Sequence, residues 1–274
     1  MSLTTALAER SSSKRLRHLQ IDATTMFGRS LRMMSRDPDE LILALVLPIA
    51  IMLMFVYVFG GAMSVGTDYI TYATPGVILL CAGYGASNTA LAVANDMSGG
   101  VIDRFRSMPI VGATMVLGHV AASLVKNSVS TAVVLIVAVA IGFRPSASLF
   151  EWFGAAGMVL AYILAITCLA AFIGVAVRTP AAAGGFGFVM LFLPYVSSAF
   201  VPPETMPAWL RGFAEAQPVT PVIESIRALL VGMGTGGSPV HDLTSTAVTG
   251  LAWCAAIALV SLVAAGWVFA RKGR

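Results

Sequence analysis

Six separate stretches of this chain are long and apolar enough to cross a bilayer, and no other feature restricts its fold so severely. They run over 41–60, 74–94, 115–142, 152–177, 182–201 and 246–270. About 18 or more consecutive apolar residues mark a spanning helix, and hydrocarbon offers backbone amides no water, so each run must close its hydrogen bonds within itself. The period-two alternation of a barrel strand does not occur in them. Composition agrees, with 58% of 274 residues hydrophobic and only 11% charged, where a soluble domain carries about 25% charged. The expectation is one all-α integral membrane domain over 1–274 with six transmembrane helices. The third and fourth runs exceed the ~20 residues of a crossing, so they tilt or project.

Lysine and arginine set the orientation. Arg10, Lys14, Arg15, Arg17, Arg29, Arg32 and Arg36 precede the first run. Arg104 and Arg106 follow the second, Arg178 follows the fourth, and Arg271, Lys272 and Arg274 end the chain. The opposite face holds Arg144, Arg211 and Arg227. Basic residues gather on the cytoplasmic side, so both termini are read as cytoplasmic in a multi-pass protein of the cell membrane, the bacterial inner membrane. The net charge of +4 then reflects topology and contact with membrane lipid, not a nucleic-acid surface.

The residues before the first run do not form a cleavable signal, because the apolar run starts late, is too long and lacks a small-residue cleavage pattern. Within 22–36, Ala23, Phe27, Leu31 and Met34 share one helical face and Arg29, Arg32 and Arg36 the opposite one. That segment reads as an interfacial helix on the inner leaflet, with a solvated charged tail as the plainer alternative.

Catalytic and metal-binding patterns are weak. Cys81, Cys168 and Cys254 fall in different runs, His18, His119 and His241 are scattered, and neither a CxxC nor an HExxH spacing occurs. That reading disfavours both a metal site and a disulfide, and no cofactor is expected on the chain. Proton or sodium coupling usually leaves buried carboxylates within spans, and none lies deep in these runs. The third run does carry a polar stripe in "HVAASLVKNSVST", where His119, Ser123, Lys126, Asn127 and Ser130 share a face. Such a stripe faces protein or water. Either it lines a cavity, or Lys126 snorkels to the cytoplasmic interface while the hydroxyls tie helices together. The small-residue patches "AGYGAS" (82–87) and "AAAGGFGF" (181–188) mark close helix contacts, within the chain or between two copies.

Two segments break the apolar pattern. "NDMSGGVIDRFRSMP" (95–109) sits between the second and third runs, with Gly99–Gly100 as a turn, Val101 to Met108 as a short helix and Pro109 as its stop. "PETMPAWLRGFAEAQPVTPVIESIRALLVG" (203–232) lies before the sixth run and carries two short helix signatures within 202–232. Pro207 opens the first and Pro218 closes it; Thr220 is the expected N-cap of the second, with Pro221 at its first position and Gly232 its stop. Neither is long enough to cross, so both read as outer-leaflet or half-inserted helices, with Arg211, Glu215, Glu224 and Arg227 near the headgroups and Trp209 in the first helix.

Together these features resemble the permease subunits of ABC-2 type exporters, and the outer segment is most similar to daunorubicin-resistance-type drug-export permeases. The resemblance covers nearly the whole chain. It implies that 97–109 is the region of a coupling helix seated in a groove of an ATPase subunit. Asp96, Gly100, Asp103, Arg104, Arg106 and Pro109 would be its working residues, and Pro207, Trp209, Pro218, Pro221, Glu224 and Arg227 would belong to the outer gate helices. The chain has no GxxxxGK[ST] phosphate loop, so ATP and Mg are expected on a separate ABC ATPase, in two copies, beside a second permease copy in a homodimer. The implied function is not enzymatic: outward transport of amphiphilic drug-like or lipid-like substrates. A channel or secondary transporter independent of ATP is the alternative reading, and a membrane-embedded enzyme is disfavoured for want of clustered catalytic groups.

Overall fold

Every regular element among the described residues is helical. The computed structural model describes residues 38–63, 65–98, 112–232 and 242–272. The expected interfacial helix at 22–36 lies outside them, as does most of the segment 97–109.

Helix α1 spans Pro38–Leu53 and runs on through a π-helical stretch, Met54–Phe59. Helix α2 is Tyr69–Ser98, α3 is Gly112–Ala140, and α4 is Leu149–Ala176. Helix α5, Pro180–Phe192, ends in a 3-10 turn, Leu193–Val196. Two short helices follow, α6 at Ala208–Ala216 and α7 at Val219–Val231, and α8 covers Leu243–Lys272. Four of these contain stretches long and apolar enough to cross a membrane: Tyr69–Ser98, Val116–Ala140, Leu149–Ala176 and Leu243–Phe269. Two shorter apolar helices, Leu45–Phe59 and Pro180–Val196, stand where the first and fifth runs were expected.

Local chemistry explains the boundaries. Ser148 caps α4 through a reciprocal box, its Oγ accepting from Glu151 N at 3.4 Å while Ser148 N donates to Glu151 Oε2 at 2.6 Å. Thr179 caps α5, with Pro180 at the first helical position, where the missing N–H costs nothing. The fifth run was expected to reach 201, but its helix stops at Val196. Pro194 cannot donate to the ladder, Ser197 turns extended, and its Oγ donates to the Pro194 carbonyl at 2.6 Å.

The start of α7 also differs from expectation. Pro218, not Thr220, is the N-cap residue; Thr220 lies inside the first turn, and its hydroxyl donates to the Ala214 carbonyl of α6. Pro221 is tolerated there because first-turn amides have no intrahelical acceptor. Gly232 ends α7 as expected, at φ +71°.

Helix α2 is the axis of the fold. It is buried almost all round and packs against α3, α4 and α5, while α8 lies against α4, and α7 touches α2, α4 and α8. Small residues permit this closeness: a Cβ on Gly174 of α4 would lie 2.6 Å from Ala90 O, and one on Gly187 of α5 would lie 2.9 Å from Ser87. Within the two patches, Gly187 packs on Ser87 and Gly83 on Met190, contacts between α2 and α5 inside the chain, while Gly184 and Gly185 have no such neighbour within 4 Å. Helix α8 is different, exposing Val248, Leu259, Val260 and Val263 along an apolar flank suited to hydrocarbon. Near its end the Arg271 guanidinium stacks 3.8 Å over the Trp267 ring, an arrangement common at a membrane interface.

Candidate functional site

The polar stripe of α3 meets α2 in a seam. Asn127 Nδ2 donates to Ser123 Oγ at 3.2 Å, and Thr89 Oγ1 of α2 donates to the same oxygen at 2.5 Å. Asn127 fits because residue 85 is glycine: a Cβ there would lie 2.1 Å from Asn127 Oδ1. Farther along, His119 Nε2 lies 3.0 Å from Asp96 Oδ2, with side chains 15% and 17% exposed. From Gly85 to Asp96 the seam is about 16 Å long at 1.5 Å per residue. Ser123, Lys126, Asn127 and Ser130 are all buried.

Lys126 stands mid-helix, 14 residues from either end of α3, about 21 Å from each at 1.5 Å per residue. It is only 7% exposed. Helix α3 extends well beyond it on both sides. Of the residues implied in ATPase coupling, Asp96 is described and is tied to α3; Gly100, Asp103, Arg104, Arg106 and Pro109 lie outside the described residues.

At the opposite end of α2, Arg227 of α7 overturns its expected place among the headgroups. It is 1% exposed. Its guanidinium lies 3.9 Å over the Tyr72 ring and donates to Tyr72 O from Nε at 3.2 Å and Nη2 at 3.1 Å, and from Nη2 to Ser198 O at 2.6 Å. One side chain thus ties the beginning of α2 to the linker after α5. The cause is register: Arg227 follows Ile223 by four residues and precedes Leu230 by three, so it shares their buried face.

Other side chains secure the same corner. Tyr69 Oη donates to Phe200 O at 3.0 Å, Gln217 Nε2 donates to Val196 O, and Phe55, Tyr195 and Phe200 stack at 4.3 Å (Phe55–Phe200) and 5.0 Å (Tyr195–Phe200). Glu224, one turn before Arg227, is half-buried; burial raises its carboxyl pKa, and the Arg227 charge opposes this. Pro221 is buried and Pro218 half-buried, while Pro207 and Trp209 are exposed on α6. The Arg211–Glu215 pair, at 2.7 Å, is also exposed and so contributes little.

Sequence reasoning missed Tyr69, Tyr72, Ser198 and Gln217 at this corner, and Thr89 and Gly85 in the seam. An arginine in register with the apolar face of α7 was the one available signal. Cys81, Cys168 and Cys254 are buried and unpaired with one another. Among the described residues no three His, Cys, Asp or Glu side chains are grouped as a metal site requires.

Comparison with known proteins places these features in a family. The model of the ABC-2 type transporter family matches residues 22–231. Among curated relatives, the daunorubicin resistance ABC transporter permease protein DrrB1 of Streptomyces coeruleorubidus is 27% identical over 210 residues, covering 76% of this chain and 74% of that protein. The probable doxorubicin resistance ABC transporter permease protein DrrC of Mycobacterium tuberculosis is 27% identical over 238 residues, covering 86% and 83%. Membrane-length apolar helices and this match together make the protein an integral membrane protein. By the match over 22–231, the chain belongs to the ABC-2 type transporter family.

Proposed function

We propose that this chain is the permease subunit of an ATP-driven exporter that moves amphiphilic, drug-like or lipid-like molecules outward. It forms the path as a homodimer of six-span subunits, both termini cytoplasmic, and two copies of a separate ATPase supply ATP and Mg chemistry. The observation that carries the reading is the exit of α2. Its last turn is held to α3 by the Asp96–His119 contact at 3.0 Å, and the chain then enters the charged segment at once.

A push on that segment from a closing ATPase reaches two spans together through this contact. The seam of Thr89, Ser123 and Asn127 extends the connection along α2 and α3, and α2 begins where Arg227 holds the outer corner. ATP binding then favours one arrangement of the spans and hydrolysis resets it, a population shift with two states. The names of the curated relatives, which are drug-resistance permeases, support amphiphilic drugs as substrates.

Reversing Arg104 and Arg106 to glutamate tests the contact. Other cytoplasmic cations still set orientation, so insertion persists while ATPase docking weakens. Normal docking and export by the double variant would show that the contact lies elsewhere.

A further inference from the structure

A cavity of about 230 Å³ lies between α3 and α4, away from the polar seam. Ile226 and Leu230 of α7 and Ile78 of α2 close it from within, and the exposed Ala132 and Ala156 flank its side. Along α4 its lining runs from Trp152 to Leu160, eight residues or about 12 Å at 1.5 Å per residue. A cleft of that length and volume accommodates a slender apolar group lying along α4, with its carbons about 4 Å from their neighbours.

The lining chemistry agrees. The Ser128 hydroxyl is taken up by Leu124 O at 2.7 Å. Thr131 Oγ1, buried and without a hydrogen-bond partner among the described residues, is the other polar group. A cavity so apolar holds no stable water, and a comparable one of about 150 Å³ takes benzene. Its lining residues run along α3 from Ser128 to Leu135 and along α4 from Trp152 to Leu160, and spanning helices lie roughly along the direction of hydrocarbon chains in a bilayer.

We propose that this groove binds one alkyl chain, admitted sideways from the membrane between Ala132 and Ala156. The chain packs on Ile226 and Leu230, on either side of Arg227 in sequence, so its occupancy favours the docked position of α7. The chain can belong to a membrane lipid or to an exported amphiphile. The inference requires only that the protein sits in a bilayer and holds whether or not the export reading does.

The test reconstitutes the full chain in vesicles of phosphatidylcholine carrying a mid-chain diazirine, followed by irradiation and peptide mapping. The expected result is adduct yield at Thr131 and Val159 about tenfold above Val129 and Ile136, which are exposed on the same helix as Thr131; that ratio corresponds to ~1.4 kcal/mol of preference for the groove. Ala156→Trp and Ala132→Phe, plugs from opposite walls at exposed positions, each abolish the excess and leave Val129 labelled. Adding unlabelled lauric acid separates the sources: displacement assigns the groove to single-chain amphiphiles, and persistence assigns it to membrane lipid. Equal labelling of groove and exposed positions, or an excess that survives both plugs, overturns the proposal. So does an unlabelled groove, the result expected if a second copy of the chain covers it.

Discussion

Replacing Arg227 with methionine should open the corner that it ties between α2, α7 and the linker after α5. The substitution retains an apolar stem of similar reach and removes the guanidinium that bonds Tyr72 O and Ser198 O. Two buried carbonyls then lack that donor, at about 1–3 kcal/mol each, and the cation–π contact, about 2 kcal/mol when desolvated, is lost. Against this, a buried charge no longer has to be desolvated, which returns several kcal/mol. A net loss of about 3 kcal/mol corresponds to ~10²-fold in the ratio of docked to undocked α7. The assay is the labelling rate of Ser198→Cys, with Cys81, Cys168 and Cys254 changed to alanine, by a membrane-impermeant maleimide. Ser198 is fully buried, so labelling reports opening. Arg227→Met should raise the rate by about two orders of magnitude. Arg227→Lys retains the charge but not the planar fork and should fall between. Arg211→Ala, which breaks only an exposed pair, should leave the rate unchanged. An Arg227→Met rate equal to wild type would refute the assignment of Arg227 as the tie at this corner.

Other sites give further tests. His119→Ala should lower export while leaving ATPase binding intact, because it breaks the Asp96 contact without touching the charged segment; unaltered export would show that the contact transmits nothing. In the cysteine-free background, cysteines at Ser123, Lys126 and Ser130 should react with a water-soluble thiol reagent in the resting state and more slowly with ATP present, if the seam borders a cytoplasm-facing cavity. Labelling equal to that of the exposed Val129 and Ile136 would show no such asymmetry. The raised carboxyl pKa of Glu224 means that the folded state favours its protonated form. The associated stability is therefore present at acid pH and lost as pH rises through the folded value. Relative to Glu224→Gln, the thermal midpoint of the wild type should fall as the pH rises above about 4, the ordinary carboxyl range; parallel curves would contradict the burial effect.

The helices were legible because apolar runs of that length have few other solutions, and the described elements fall on all six of them. The end of the fifth was not, since apolarity continues to Val201 while Pro194 and Ser197 terminate the helix by hydrogen-bond chemistry. Thr220 looked like a cap by residue type, but Pro218 already held the φ from which the helix starts. Arg227 was assigned to the surface by its charge, although its spacing from Ile223 and Leu230 placed it in the buried register. The stripe on α3 was visible as a periodicity of one helix. Its partners Gly85, Thr89 and Asp96 were not, because the pairing of two spans depends on tertiary register that neither helix encodes alone.

Transport by defined components tests the central claim most directly. The purified chain is placed in proteoliposomes with or without its ATPase partner, and ATP-dependent movement of doxorubicin across the bilayer is followed by fluorescence. The chain alone should hydrolyse no ATP and move no drug, while chain and ATPase together should move it outward only as ATP is hydrolysed. Movement by the chain alone, driven by a proton or sodium gradient and indifferent to the ATPase, would contradict the assignment of this protein as an ATP-coupled permease.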